Sequence, residues 1–149
     1  MNKRTIFIIG NTSEIAKNLF QKYYSNDEII GINSSNIDFN ELDSGNLLRT
    51  YLNKYSPDLI FIFSGVIGKN ESDYNKVFNV NFKPFHEIIK FFSSDTPRKK
   101  TKVIILGSKC FNEGREEYYL YSASKAALHN LFLSACTLFK NTQIIFGII

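Results

Sequence analysis

Tyr121 and Lys125 stand four residues apart in the run Tyr121-Ser122-Ala123-Ser124-Lys125, a spacing that sets a phenol and an ammonium on one side of a helix. A free phenol titrates near about 10, and an adjacent ammonium favours the phenolate and lowers that value. Such a pair could exchange a proton near neutral pH. The spacing alone says little, because with 8 Tyr in 149 residues and frequent Lys one such pair is expected by chance. An ordinary helix-surface pair would account for it. Other polar residues gather at related places. Ser108 follows a strand-like run at Lys102–Leu106, Ser64-Gly65 close another at Asp58–Ser64, and Asn81 lies in a helical stretch between them. The turn Gly10-Asn11-Thr12-Ser13-Glu14-Ile15-Ala16 follows the first run and opens a helix. Glycine there permits a tight turn, and free N–H groups at a helix start can hold a phosphate. A plain Ser or Thr N-cap, with Glu14 complementing the helix dipole, fits the same letters. A carboxylate at Glu14 suits a pyrophosphate only if its side chain points away.

The elements that must position these residues alternate. Thr5–Ile9, Glu28–Ile32, Asp58–Ser64, Lys102–Leu106 and Thr142–Ile149 read as buried strands, with a short extra strand near Asn36–Phe39. Ser13–Tyr24, Glu41–Lys54, Ser72–Phe92 and Tyr119–Lys140 carry helical periodicity. Pro84 predicts a kink or break inside the third of these, Pro57 marks the end of the second, and Pro97 falls in the loop before the fifth strand. Strands alternating with helices imply parallel pairing and right-handed crossovers, hence an α/β, doubly wound parallel sheet in three layers. The expected order is 3-2-1-4-5-6, with the sixth strand at an edge. Ligands of such sheets lie beyond the carboxyl ends of the strands, near the point where strand order reverses. All the residues above sit at such ends or can converge on them. The second strand ends in Asn33-Ser34-Ser35 with neither the acidic residue that binds a ribose diol nor an Arg for a 2′-phosphate.

The combination resembles the short-chain dehydrogenase/reductase family of the classical type, from Gly10 to Ile149. Tyr121-Ser122-Ala123-Ser124-Lys125-Ala126-Ala127-Leu128 is similar to the family's Tyr-x-x-x-Lys segment. Ser108 precedes Tyr121 by 13 residues, near the family's spacing, and Phe78-Asn79-Val80-Asn81-Phe82 resembles its asparagine helix. The resemblance implies a Rossmann-type domain over 1–149 and an NAD(P)-dependent oxidoreductase moving a hydride between a nicotinamide and a small carbonyl or alcohol. It implies Tyr121 as the proton donor or acceptor, and Lys125 as its partner and a ligand of the nicotinamide ribose. Ser108 would bind the substrate carbonyl and Asn81 would hold a water in the proton relay. It also implies cofactor contacts at Gly10, Thr12, Ser13, Glu14, Ile15, Asn33, Ser34, Asp38, Phe39, Ser64 and Gly65, together with Tyr121 and Lys125, with Asp38 facing adenine. NADP is slightly favoured over NAD because no acidic residue ends the second strand. Three departures stand out. The family's Gly-x-x-x-Gly-x-Gly is Gly10-x-x-x-Glu14-x-Ala16 here, its Asn-Asn-Ala-Gly is Ile62-Phe63-Ser64-Gly65, and members usually run considerably longer. The chain therefore reads as a member lacking the C-terminal substrate-loop region. The alternative is a non-catalytic nucleotide-binding fragment or assembly module.

Composition bounds the rest. A hydrophobic share of 44% and a charged share of 21% describe an ordinary folded chain. The net charge of +4 is scattered, and its densest run, Arg98-Lys99-Lys100-Thr101-Lys102, reads as a solvated loop, with no nucleic-acid partner expected. Cys110 and Cys136 lack metal-type spacing, so no metal is expected. No membrane span and no signal-peptide core are visible, which points to the cytoplasm. The helix Tyr119–Lys140 is apolar on more than one side, and the resemblance implies a homodimer through it.

Overall fold

The computed structural model describes residues 3–23, 26–69, 72–94 and 99–149. Five strands, β1 (Thr5–Ile9), β2 (Glu28–Ile32), β3 (Leu59–Ile62), β4 (Thr101–Ile105) and β5 (Ile144–Ile148), form one sheet in the order β2-β1-β3-β4-β5. Every neighbouring pair is parallel. Strand β1 from Ile6 onward and β3 throughout are apolar and buried, as strands covered on both faces must be. Strand β5 lies at an edge, parallel to β4, as expected of the last strand.

The expected short strand at Asn36–Phe39 does not form, so the sheet has five strands and the order 3-2-1-4-5-6 is corrected accordingly. Local hydrogen bonding wins over extension there. Asn33 Oδ1 accepts from the Ser35 N–H at 2.9 Å, and the Asn33 carbonyl accepts from the amides of Asn36 and Ile37. Ile37 and Phe39 still bury their side chains, but from a loop.

Helices α1 (Glu14–Tyr23), α2 (Ser44–Tyr55), α3 (Tyr74–Asn81), α4 (Lys83–Ser94) and α5 (Tyr119–Leu138) complete the chain. The expected end of the first helix at Tyr24, together with Pro97 and Arg98, lies outside the described residues. Helix α2 stops at Ser56, which adopts a left-handed φ of 44° immediately before Pro57. The stretch expected at Ser72–Phe92 is two helices that part at Phe82. Pro84 has no N–H to give Val80 and fits only the first turn of a new helix. Asp73 starts α3 by accepting the Lys76 N–H at 3.0 Å.

The two faces of the sheet are covered unevenly. Phe7, Ile9, Ile60, Ile62, Val103 and Ile105 pack against Leu48 and Leu52 of α2, Phe85 and Ile88 of α4, and Leu128 and Ala135 of α5. On the opposite face, Ile6, Ile8, Leu59 and Phe61 meet Ala16 and Phe20 of α1. Lys99, from the basic run, pairs with Asp58 at 2.7 Å beside the start of β3. No described helix is long and apolar enough to cross a membrane.

Candidate functional site

Because all five strands point the same way, the segments that follow them leave the sheet on one rim. Gly10 follows β1 and adopts φ +85°, in the left-handed region. A Cβ there would stand 2.5 Å from the Ser64 nitrogen and 2.7 Å from the Phe63 carbonyl carbon, both backbone atoms. Glycine is thus required twice over, by conformation and by the close approach of the segment after β3. Ser13 then caps α1, its Oγ accepting the Ala16 N–H at 3.2 Å. The capping and ligand-binding readings of this turn coexist, because Ser13 also lines a cavity at the same rim.

That cavity holds about 410 Å³ across the carboxyl ends of β1, β2 and β3. Of the expected cofactor-binding residues, Gly10, Thr12, Ser13, Asn33, Ser34, Asp38, Phe39, Ser64 and Gly65 line it. Glu14 and Ile15 do not; both are exposed on α1, which removes the expected conflict between the Glu14 carboxylate and a bound anion. The open N-terminus of α1 presents the positive end of its dipole to this space. Ser64 Oγ is buried with no hydrogen-bond partner among the described residues, a condition that a ligand hydroxyl or amide would relieve. Ile37, Asn40, Val66 and Val80 also line the cavity and were not expected. The alternation Ile37-Asp38-Phe39 carried a signal, but it was read as a strand. A dinucleotide phosphate and ribose suit this set: a glycine cradle, a helix start and an orphaned hydroxyl.

None of the residues of the expected proton-transfer group lines this cavity. Lys125 on α5 is 4% exposed, and its Nζ donates to the Leu106 carbonyl at 2.8 Å. Burial pushes its ammonium down from 10.5 to about 8, so it is still mostly charged at neutral pH. Its Nζ lies 5.8 Å from the centroid of the half-buried Tyr121 ring, which places phenol and ammonium on one side of α5. Ser108, just past β4, accepts the Cys110 N–H on its Oγ at 3.2 Å and starts a short 3-10 turn, Lys109–Phe111. Its own hydroxyl proton stays available to a substrate oxygen.

Asn81 ends α3 and is 2% exposed. Its Oδ1 accepts the Val66 N–H at 2.7 Å, while its Nδ2 donates to the Val66 carbonyl at 3.1 Å and to Ser124 Oγ at 3.0 Å. Ser124 Oγ in turn donates to the Tyr121 carbonyl at 2.7 Å. Both amide donors of Asn81 are therefore engaged, its Oδ1 keeps a second acceptor lone pair, and its side chain acts as a tie between the cavity wall and α5.

Residues 63–149 match the sequence profile of the short chain dehydrogenase family. No curated protein sequence matches this chain. Among solved structures, a short chain dehydrogenase family protein from Francisella tularensis superposes with a TM-score of 0.77 at 17% identity, over 96% of this chain and 66% of that one. 4-Hydroxyisoleucine dehydrogenase complexed with NADH gives a TM-score of 0.80 at 25% identity, over 98% of this chain and 74% of that one. A short chain dehydrogenase/reductase from Burkholderia phymatum in complex with NAD gives 0.80 at 16% identity, over 99% of this chain and 64% of that one. The chain thus spans slightly less than two thirds of the Francisella and Burkholderia proteins.

Proposed function

The chain belongs to the short chain dehydrogenase family, and we propose that residues 1–149 form an NAD(P)-binding domain of an oxidoreductase acting on a small carbonyl or alcohol. The observation that carries this reading is the cavity beside Gly10, with its backbone cradle and the unpartnered Ser64 hydroxyl. When bound, the dinucleotide supplies or accepts the hydride. Tyr121 gives a proton to the nascent alkoxide in reduction and takes it back in oxidation. The Lys125 ammonium stands 5.8 Å from the centre of the Tyr121 ring, and its remaining donors serve the ribose hydroxyls. Ser108 gives its hydroxyl proton to the carbonyl oxygen and orients it. Asn81 ties Val66 to Ser124 through its side-chain amide and offers its remaining acceptor lone pair to a water in the proton relay.

The coenzyme form follows from charge. The end of β2 favours NADP slightly by lacking a carboxylate, but Asp38 lines the same cavity and no Lys or Arg is among its lining residues. A 2′-phosphate would meet a like charge without a cation to offset it, so our reading shifts to NAD(H). The structures of the 4-hydroxyisoleucine dehydrogenase and the Burkholderia protein hold NADH and NAD, which supports that choice. Tyr119, Leu133 and Leu138 of α5 are 52%, 51% and 62% exposed, and we assign to this helix the contact of a homodimer.

Calorimetric titration with NADH and NADPH, with a carbonyl-reduction assay, tests the reading. The chain should bind NADH more tightly, and Tyr121→Phe should keep that binding while reducing turnover by about a hundredfold or more. Absence of dinucleotide binding overturns the proposal. Binding without turnover on any carbonyl substrate would leave a nucleotide-binding module.

A further inference from the structure

Helix α4 opens with Lys83, at the end of a helix where the macrodipole disfavours a cation. Its ammonium is engaged elsewhere. Nζ donates to the Phe39 carbonyl at 2.8 Å and to the Glu41 carbonyl at 3.0 Å, 44 and 42 residues earlier in the chain. These carbonyls flank Asn40, and Asp38, Phe39 and Asn40 together form one wall of the cavity. The stretch also has local ties: Asp38 Oδ1 accepts from the Asn40 backbone and side-chain amides, and the Asp38 carbonyl accepts from the Glu41 N–H. Those bonds shape the turn, but they do not fix where it stands relative to the sheet. Burial of the Ile37 and Phe39 side chains anchors it in the core, and the Lys83 bonds tie its backbone to α4, hydrogen bonds from an ammonium being among the stronger ones.

The same short segment holds the facing wall. Val80 lines the cavity, and Asn81 grips both backbone polar groups of Val66, another lining residue. The break between α3 and α4 therefore fastens the wall after β3 through Asn81 and the wall after β2 through Lys83. We propose that Lys83 is a positioning residue for the bound dinucleotide: it holds the Asp38–Asn40 wall at its working distance and thereby sets affinity, without touching the ligand. This rests on the dinucleotide reading of the cavity.

The test compares Lys83→Met with Lys83→Arg, whose guanidinium can still donate to two carbonyls. Amide hydrogen exchange of the free chain reads the wall, and calorimetry with NADH and with ADP reads the cavity. In Lys83→Met, exchange should quicken at residues 37–44 while β1 and β3 keep their protection. The dissociation constants for NADH and ADP should rise by about tenfold, and Lys83→Arg should return them to within about threefold of the parent. Unchanged exchange at 37–44 overturns the clamp. Faster local exchange with unchanged dissociation constants overturns its role in binding, and so does a uniform loss of protection that Lys83→Arg fails to repair. If the parent chain binds neither NADH nor ADP, the dinucleotide reading falls and this role falls with it, whatever the exchange shows.

Discussion

Replacing Lys125 by Met isolates the energetic consequence of burying an ammonium against the Leu106 carbonyl. Burial lowers this group from 10.5 to about 8, and at about 1.4 kcal/mol per pH unit the charged form is disfavoured in the folded state by about 3 kcal/mol. The sign follows from proton counts. Between about 8 and about 10.5 the unfolded chain still binds the proton that the folded chain has released, so stability rises with pH across that window. Below about 8 both states are charged and the penalty is present in full. Met removes the titration and keeps the apolar stem, so the parent should gain on Lys125→Met by about 2 kcal/mol between about pH 7 and about pH 9.5. Urea unfolding of both proteins at several pH values measures this, because the ionisable groups away from position 125 are common to both and cancel in the difference. The Leu106 carbonyl loses its partner at every pH and adds only a constant offset. A difference that stays flat from about pH 7 to about pH 9.5, or that falls, refutes the assignment of Lys125 as a buried, mostly charged group at neutrality.

Gly10→Ala should destabilise the chain by about 2–4 kcal/mol, from a strained φ and a clash with the Ser64 backbone, and should abolish dinucleotide binding; urea unfolding and calorimetry read the two effects. Asn81→Ala should cost about 2–4 kcal/mol, with the loss of exchange protection centred on Val66, because it strands that residue's amide and carbonyl. Leu133→Lys should shift the sedimentation of the parent toward monomer if α5 forms the dimer contact, and an unchanged sedimentation coefficient excludes that face.

What could be read from the sequence had a local cause. The alternation of apolar runs and amphipathic stretches fixed the parallel sheet, because every such strand needs a crossover and each crossover helix has one apolar side. Pro84 announced the break between α3 and α4 by lacking an N–H, and Gly10 announced a turn by standing between a strand and a helix start. Asn36–Phe39 misled for the opposite reason. Its apolar alternation reflects burial alone, and the side chain of Asn33 closed a turn before an edge strand could pair. Nine expected cofactor residues line one cavity because strand ends in a parallel sheet share a rim, whereas Glu14 and Ile15 were carried along by their neighbours in the chain. Lys83 gave no signal at all. Its partners are more than forty residues away, and only the folded position of the loop after β2 brings their carbonyls within reach.

The same geometry explains why one short break governs two parts of the candidate machinery. Asn81 reaches Val66 on the cavity wall with one side of its amide and Ser124 on α5 with the other. Ser124 then holds the carbonyl of Tyr121, one helical turn before the buried Lys125 that touches Leu106 at the end of β4. Phe82, with φ −116° and ψ −48°, interrupts the regular helix between Asn81, the last residue of α3, and Lys83, the first of α4. Pro84 in the first turn of α4 thus keeps the tie to the wall after β3 and the tie to the wall after β2 on two separate helices.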